Sequence, residues 1–166
     1  MPDEVCVTLP LEPMPKVPVL PEPGAFGAIR KRYVHNGVDL YCDEGTPVHA
    51  VTDGVIVGIR FYTGFWDGSP WWNSTKVIYI ASPNNEFVWC YGEIDPYSEH
   101  IGDHVEAGEL IGYVVPVLKQ PGPHGHTSML HLVLKRNMKV NTTWSPGQSQ
   151  PKGLLNPTSY LLDVIK

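Results

Sequence analysis

The chain has 166 residues, of which 42% are hydrophobic and 17% are charged, and its formal net charge is −5. This length suffices for one domain with its own hydrophobic core and is too short for two domains of ordinary size. The acidic balance argues against nucleic acid as the main partner, because phosphate binding needs clustered lysines and arginines and the basic residues form no stripe. No apolar run reaches the roughly 18 residues that would span a membrane.

The first 24 residues contain seven prolines and end in Pro23-Gly24, so neither a helix nor a central strand is expected there. We predict an extended, polyproline-like arm over residues 1–24, laid on the domain or on a partner in a larger assembly. The folded domain is expected over residues 25–166.

The amino terminus has the wrong chemistry for a secretory signal, since it is acidic and then rich in proline. If the protein acts outside the cytoplasm, we expect one of three other routes: release by lysis, a dedicated secretion device or carriage on a phage particle. Earlier removal of a signal peptide is equally compatible with this terminus, so localisation stays open.

Short β-rich runs separated by turn residues follow from about residue 30, and no segment shows a helical period over a dozen residues. Asp53-Gly54 is predicted to close one hairpin, because Asp-Gly supplies the positive φ angles of a tight turn. Pro83-Asn-Asn85 is predicted to close a second hairpin. The sequence therefore predicts an all-β domain, either an antiparallel sandwich or a folded-over sheet. The predicted runs are residues 46–52, 55–61, 76–81, 86–91, 101–115 and 128–136.

Two segments interrupt the strand pattern. Residues 61–75 place six aromatic side chains in a loop that also contains glycine. This loop either walls a binding groove, with Trp66, Trp71 and Trp72 as the candidate groove residues, or folds over the core as a lid. Residues 157–162 have the pattern of a short docking element after a polar tail.

Three residues form a candidate metal site: His35, Asp39 and His131. In a straight strand His35 and Asp39 would lie roughly 13 Å apart, too far to share one ion. Asn36-Gly37 between them is a turn dipeptide, which lets the chain curl and bring both side chains to one point. Two histidines and one carboxylate suit Zn²⁺, and three protein ligands are typical of catalytic zinc, which keeps one position for water or substrate.

Several blocks of the sequence share their order and spacing with one known family. They are His35-x-Gly-x-Asp39, Gly45–Ile56, Tyr91-Gly-Glu-Ile94, Gly102–Gly112 and Leu130-His131, with residues 156–161 as a weaker match to the family's ending. In these blocks the chain resembles the lysostaphin-type zinc endopeptidases, also called LytM domains, over roughly residues 30–136. The resemblance implies a duplicated antiparallel β-sheet groove, zinc held by His35, Asp39 and His131, and cleavage of peptides in bacterial peptidoglycan.

The sequence departs from that family at two positions. Most of its members have His-x-His in the last block and Tyr-x-His in the earlier one, whereas this chain has Met129 and Glu93 at the places of these histidines. One expectation is a variant enzyme in which Glu93 serves as the general base, His126 stabilises the oxyanion and Tyr91 is a weaker candidate for that role.

The alternative is a protein that retains zinc but has lost catalysis. It would then have a binding or structural role, for example in a cell-wall or phage-tail assembly. We favour the enzyme, because a residue that can accept a proton stands at one of the missing histidines and the three metal ligands are intact.

Overall fold

A computed structural model describes residues 7–64, 72–121, 125 and 127–165. Within these residues a single nine-stranded sheet dominates the fold, and every strand pairing is antiparallel. The elements are β1 (Val38–Tyr41), β2 (Pro47–His49), β3 (Gly54–Phe61), β4 (Lys76–Ala81), β5 (Val88–Pro96), β6 (His104–Val105), β7 (Leu110–Val114), β8 (Met129–Lys135), β9 (Leu154–Leu155) and the helix α1 (Thr158–Ile165).

The main path through the sheet runs β1-β8-β5-β4-β3-β6. Strand β5 is long enough to pair with β8 through residues 88–92 and with β7 through residues 94–96. Strand β7 also pairs with β2, and β9 extends the edge beside β8. The all-β, antiparallel fold predicted from the sequence is confirmed.

The hairpin predicted around Pro83–Asn85 is confirmed by the pairing of β4 with β5. The hairpin predicted at Asp53-Gly54 is wrong, since β2 pairs with β7 while β3 pairs with β4 and β6. A Cβ atom at Gly54 would lie 2.3 Å from the carbonyl oxygen of Ala81. Glycine is therefore required there by the close approach of a neighbouring strand, while Asp53 accepts a hydrogen bond from the backbone N–H of Ala107.

The two faces of the sheet differ in what they carry. Along β8, Leu130, Leu132 and Leu134 are fully buried on the core face, and the alternating positions point to the other side. We call that other side the groove face. Strand register places on it Asp39 and Tyr41 of β1, Met129, His131, Val133 and Lys135 of β8, Cys90 and Gly92 of β5, and Val77 and Tyr79 of β4.

The described part of the predicted arm, residues 7–24, lies against the sheet. Leu11 is 2% exposed and forms an isolated bridge with Val48. The backbone N–H of His49 donates to the carbonyl of Pro10, and Val17 is also buried. These contacts make the arm part of the domain's core, and a contact between the arm and a larger assembly stays a prediction.

Leu11→Ala should lower the free energy of unfolding by about 2–4 kcal/mol, because it removes a buried side chain and leaves a cavity. Leu20→Ala is the matched control, since Leu20 belongs to the same arm but is 60% exposed. Its effect should stay within about 0.5 kcal/mol. Urea unfolding of both variants measures the difference, and equal small effects would show that the arm does not stabilise the domain.

The helix α1 matches the docking element predicted after residue 156. Its Leu161 is fully buried, and the ring of Tyr160 packs edge-on against Trp89 with the centroids 5.9 Å apart. In the described part of the chain no helix has both the length and the apolar character needed to cross a membrane.

Candidate metal centre

The three predicted metal ligands converge at one point of the groove face. Strand register places Asp39 directly opposite His131, and His35 lies just before β1. The Oδ1 atom of Asp39 is 2.8 Å from Nδ1 of His131 and 3.1 Å from Nε2 of His35, and the two nitrogens are 3.2 Å apart. The chain bends at Gly37, where a Cβ would lie 2.4 Å from the carbonyl oxygen of Leu132.

Hydrogen bonds on the far side of each imidazole determine which nitrogen carries the proton. Nδ1 of His35 lies 2.9 Å from the carbonyl oxygen of Ala25, which can only accept, so Nδ1 donates. Nε2 of His131 lies 3.1 Å from Oδ1 of Asn36, whose amide nitrogen donates to the carbonyl of Thr142. His35 therefore presents Nε2, and His131 presents Nδ1, as unprotonated lone pairs that face each other.

This arrangement fits zinc. Two nitrogens and one carboxylate oxygen are all acceptors, so they need a cation between them. Ligand atoms about 2.0–2.1 Å from a tetrahedral zinc ion are about 3.3 Å apart, and the observed separations are slightly shorter. Among the described residues, His35, Asp39 and His131 are the group of buried side chains that could hold a metal ion.

Electrostatics favours the protonation states that metal binding needs. Burial acts to raise the pKa of Asp39, but hydrogen bonds and charge interactions with His131 and His35 in their protonated forms outweigh burial and hold that pKa well below its usual range. Burial also lowers the pKa of His131, against the opposing effect of Asp39, so its imidazole is neutral near pH 7. The second carboxylate oxygen of Asp39 accepts a 2.9 Å hydrogen bond from Arg30, which fixes the orientation of the carboxylate.

A β-bulge at Glu93 brings its carboxyl group within electrostatic range of this cluster. The pairing of β4 with β5 shifts register around Glu93, which has a φ of 66°. Bulges of this kind redirect a side chain and are frequent next to active sites. Burial raises the pKa of Glu93 well above its usual range, the negative charge of Asp39 raises it further and Arg30 opposes the shift. Its Oε2 is buried and makes no hydrogen bond to the described residues.

Tyr91 is not brought to the cluster. It pairs with Leu132, is fully buried on the core face, and its hydroxyl accepts a 2.8 Å hydrogen bond from the backbone N–H of Val51. The expectation that Tyr91 stabilises an oxyanion is therefore not supported. Regular alternation along β5 would place the Glu93 side chain on the same face as Tyr91. Because the bulge interrupts this alternation, the two side chains need not share a face.

Four predicted site residues remain. His126, Trp66 and Trp71 lie outside the described residues, so their roles stay predictions. Trp72 is half-buried and forms an isolated bridge with Leu118. Its place in a substrate groove also stays a prediction.

Sequence reasoning missed the position of Tyr62, which it treated only as one of the loop aromatics. The ring of Tyr62 stacks on His131 with centroids 5.8 Å apart and an interplanar angle of 22°. Burial raises the pKa of its phenol well above the usual value, and the charges of Glu93 and Asp39 add to the shift. Gly92 is the residue in the sequence that could have indicated this position. It lies directly across from His131, and its missing side chain leaves room for the Tyr62 ring.

Gly92→Ala should lower the free energy of unfolding by about 1–3 kcal/mol, because the new Cβ would lie 2.8 Å from Cε1 of Tyr62. In a Tyr62→Ala background the same change should have a smaller effect, since the overlapping ring is gone. Urea unfolding of the four proteins in this double-mutant cycle gives the interaction energy. An interaction energy near zero would show that Gly92 does not position Tyr62.

An antiparallel sheet with two histidines and an aspartate converging on one face is the arrangement that the resemblance to LytM-type metallopeptidases implies. Residues 33–142 match the model of peptidase family M23, and the chain belongs to this family. Lysostaphin of Staphylococcus simulans is 28% identical over 127 residues, which are 76% of this chain and 22% of that protein. Glycyl-glycine endopeptidase ALE-1 of Staphylococcus capitis is 29% identical over 92 residues, which are 55% of this chain and 23% of that protein.

Two solved structures show the same fold. The antimicrobial peptidase lysostaphin from Staphylococcus simulans aligns with a TM-score of 0.57 at 20% identity, over 90% of this chain and 50% of that chain. A zinc-containing peptidase from Vibrio cholerae aligns with a TM-score of 0.53 at 20% identity, over 79% of this chain and 36% of that chain. The chain spans about a quarter of the length of the curated relatives named above.

Proposed function

We propose that the protein is a zinc-dependent endopeptidase that cleaves peptide bonds in bacterial peptidoglycan. The observation that carries this proposal is the convergence of three unprotonated ligand atoms within 3.2 Å on the groove face, within electrostatic range of the buried carboxyl group of Glu93. Membership of peptidase family M23 supports peptide hydrolysis. The names of two relatives, lysostaphin and glycyl-glycine endopeptidase, support a cell-wall substrate.

In the proposed mechanism, His35, Asp39 and His131 would hold zinc. Zinc, when bound, supplies Lewis acidity toward a carbonyl and acidifies a water molecule. Arg30 keeps one oxygen of Asp39 turned toward it and leaves the other oxygen for the metal. Asn36 fixes the tautomer and orientation of His131.

Glu93 is the proposed general base. Its carboxylate lies close enough to Asp39 for the charge of one to shift the pKa of the other, and it is shielded from solvent. A carboxylate with a raised pKa is a stronger base than an exposed one. Glu93 would take a proton from the attacking water and return it to the leaving amine.

A second candidate function is a zinc-retaining protein that binds cell-wall peptides or serves in an assembly without cleaving anything. The observation that favours it is the same raised pKa of Glu93, because a raised pKa increases the share of the protonated carboxyl group, which cannot accept a proton. Met129, which replaces the other expected histidine, has no ionisable group. As a cell-wall enzyme the protein would act outside the cytoplasm, where peptidoglycan lies, and its route there stays a prediction.

Peptidoglycan sacculi provide the direct test. Zinc-loaded protein, chelator-treated protein and chelated protein with zinc restored are incubated with purified sacculi, and new amino groups are located by mass spectrometry. Release that needs zinc and returns with it would support the endopeptidase and identify the bond. If protein that carries one zinc ion per chain releases no amino groups, the endopeptidase proposal is overturned and the second candidate, a zinc-retaining binding protein, is favoured.

A further inference from the structure

A pocket lies on the groove face beside the candidate metal centre. Its cavity volume is about 50 Å³, and His131 and Lys135 are among its lining residues. Tyr62, Tyr79 and Cys90 form part of its apolar lining. One water molecule needs about 10–15 Å³ of such volume. The pocket therefore has room for one small polar group, such as a carboxylate.

Lys135 brings a buried positive charge to this pocket. The residue is 6% exposed, and buried lysines are normally paired with an acid. Its Nζ atom lies 3.5 Å from the carbonyl oxygen of Met138 and 5.2 Å from the centroid of the Tyr79 ring. Within the part of the chain that the structure describes, no carboxylate lies within ion-pair distance of this nitrogen.

A second cation adds to the positive potential at this end of the pocket. The guanidinium of Arg60 lies 5.4 Å from the centroid of the same Tyr79 ring. The other polar residues that line the pocket include Asn36 and Thr142, which are neutral. The pocket thus carries a net positive charge at the Lys135 end, while the metal centre lies at the other end.

We propose that this pocket receives a carboxylate group of a peptide that lies along the groove face, and that Lys135 binds this carboxylate, so that the site selects acidic substrates. The inference rests on the proposed function, because the peptide is taken to be the substrate of the same groove. His131 and Lys135 are four residues apart on one strand face, or about 13 Å. An extended peptide covers this distance with about four residues. The carboxylate belongs either to the carboxyl terminus of the peptide or to an acidic side chain.

Binding of small peptide probes tests the proposal without hydrolysis. N-acetyl-glycyl-glycine carries a terminal carboxylate, its amide carries none, and N-acetyl-glutamyl-glycinamide carries only a side-chain carboxylate. Titrations followed by amide NMR shifts give the affinity of each probe for the wild-type protein and for Lys135→Met. Lys152→Met, which removes an exposed lysine, is the matched control. Asp39→Ala tests whether a carboxylate binds the metal centre instead.

At least one carboxylate probe should bind the wild type about tenfold or more tightly than the neutral amide, as expected for a charge-assisted hydrogen bond. The ratio of the two affinities should fall toward one in Lys135→Met. It should stay at the wild-type value in both Lys152→Met and Asp39→Ala. The probe that binds better identifies the source of the carboxylate. The shifts should cluster at Tyr79, Cys90 and Thr142.

Equal affinity of the wild type for all three probes, or binding of none, would overturn the proposal whether or not Lys135→Met folds. A preference that survives in folded Lys135→Met would also overturn it. The outcome is independent of catalysis. If the protein prefers carboxylate probes but leaves sacculi intact, only the endopeptidase proposal is overturned. If it cleaves sacculi without preferring carboxylate probes, only the carboxylate-site proposal is overturned.

Discussion

Asp39→Ala should abolish zinc-dependent cleavage of sacculi and weaken zinc binding by more than about 100-fold. Loss of a residue that only supports a ligand typically lowers metal affinity by about 10–100-fold, and Asp39 is expected to be a ligand itself. Its carboxylate is also the negatively charged group among the three proposed ligands. Zinc affinity is measured by competition with a chelator of known strength, and activity by release of amino groups.

Asp43→Ala is the control for this variant. Asp43 follows β1 four residues after Asp39 but is exposed, so its removal should leave zinc affinity and cleavage unchanged. If Asp39→Ala kept wild-type zinc affinity, the metal would have to bind elsewhere, and the proposed centre would be wrong. If it lost zinc but kept full cleavage, hydrolysis would not depend on this metal.

Much of the fold follows from local patterns that the sequence shows directly. The alternation of leucines along β8 and the turn residues between β4 and β5 depend on near neighbours, so both were predictable. The error at Asp53-Gly54 arose because an Asp-Gly pair is compatible with two situations. Glycine serves equally in a tight turn and where another strand passes closely, and only the tertiary contact with Ala81 distinguishes them.

The candidate metal ligands were predictable and their surroundings were not. His35, Asp39 and His131 are indicated by residue type and by the family's spacing. The direction of Glu93 depends on a bulge, which breaks the alternation that sequence reasoning assumes. The stacking of Tyr62 on His131 depends on the path of a loop and on the space above Gly92. Such features arise from packing between segments distant in sequence.

Glu93→Gln decides between the two candidate functions. If Glu93 is the general base, the amide should lower the rate of cleavage by about 10² or more, because it cannot accept the proton. Zinc affinity should remain close to that of the wild type, since Glu93 is not among the three proposed ligands. Glu86→Gln is the matched control, because Glu86 is exposed in the turn before β5. Initial rates on sacculi measure the effect.

The same substitution should stabilise the metal-free protein as pH rises. The pKa of Glu93 is higher in the folded state than in the unfolded state, so its contribution to stability is present below the usual glutamate pKa of about 4.3 and is lost as pH rises through the folded-state pKa. Glutamine has no charge to bury and avoids this loss. Urea unfolding should therefore give similar free energies of unfolding for Glu93→Gln and the wild type below about pH 4.3. Above that pH the free energy of unfolding of Glu93→Gln should increasingly exceed that of the wild type.

The two measurements on Glu93→Gln are informative together. Glu93 has a backbone φ of 66° and a buried carboxyl group with a raised pKa. Both features are unfavourable for the folded state. If its removal stabilises the protein and abolishes cleavage, that unfavourable energy is explained by catalysis. Stabilisation with unchanged cleavage would exclude Glu93 as the base. A gain in stability in a protein whose wild type leaves sacculi intact would instead favour a role for Glu93 in binding, next to a metal that no longer serves hydrolysis.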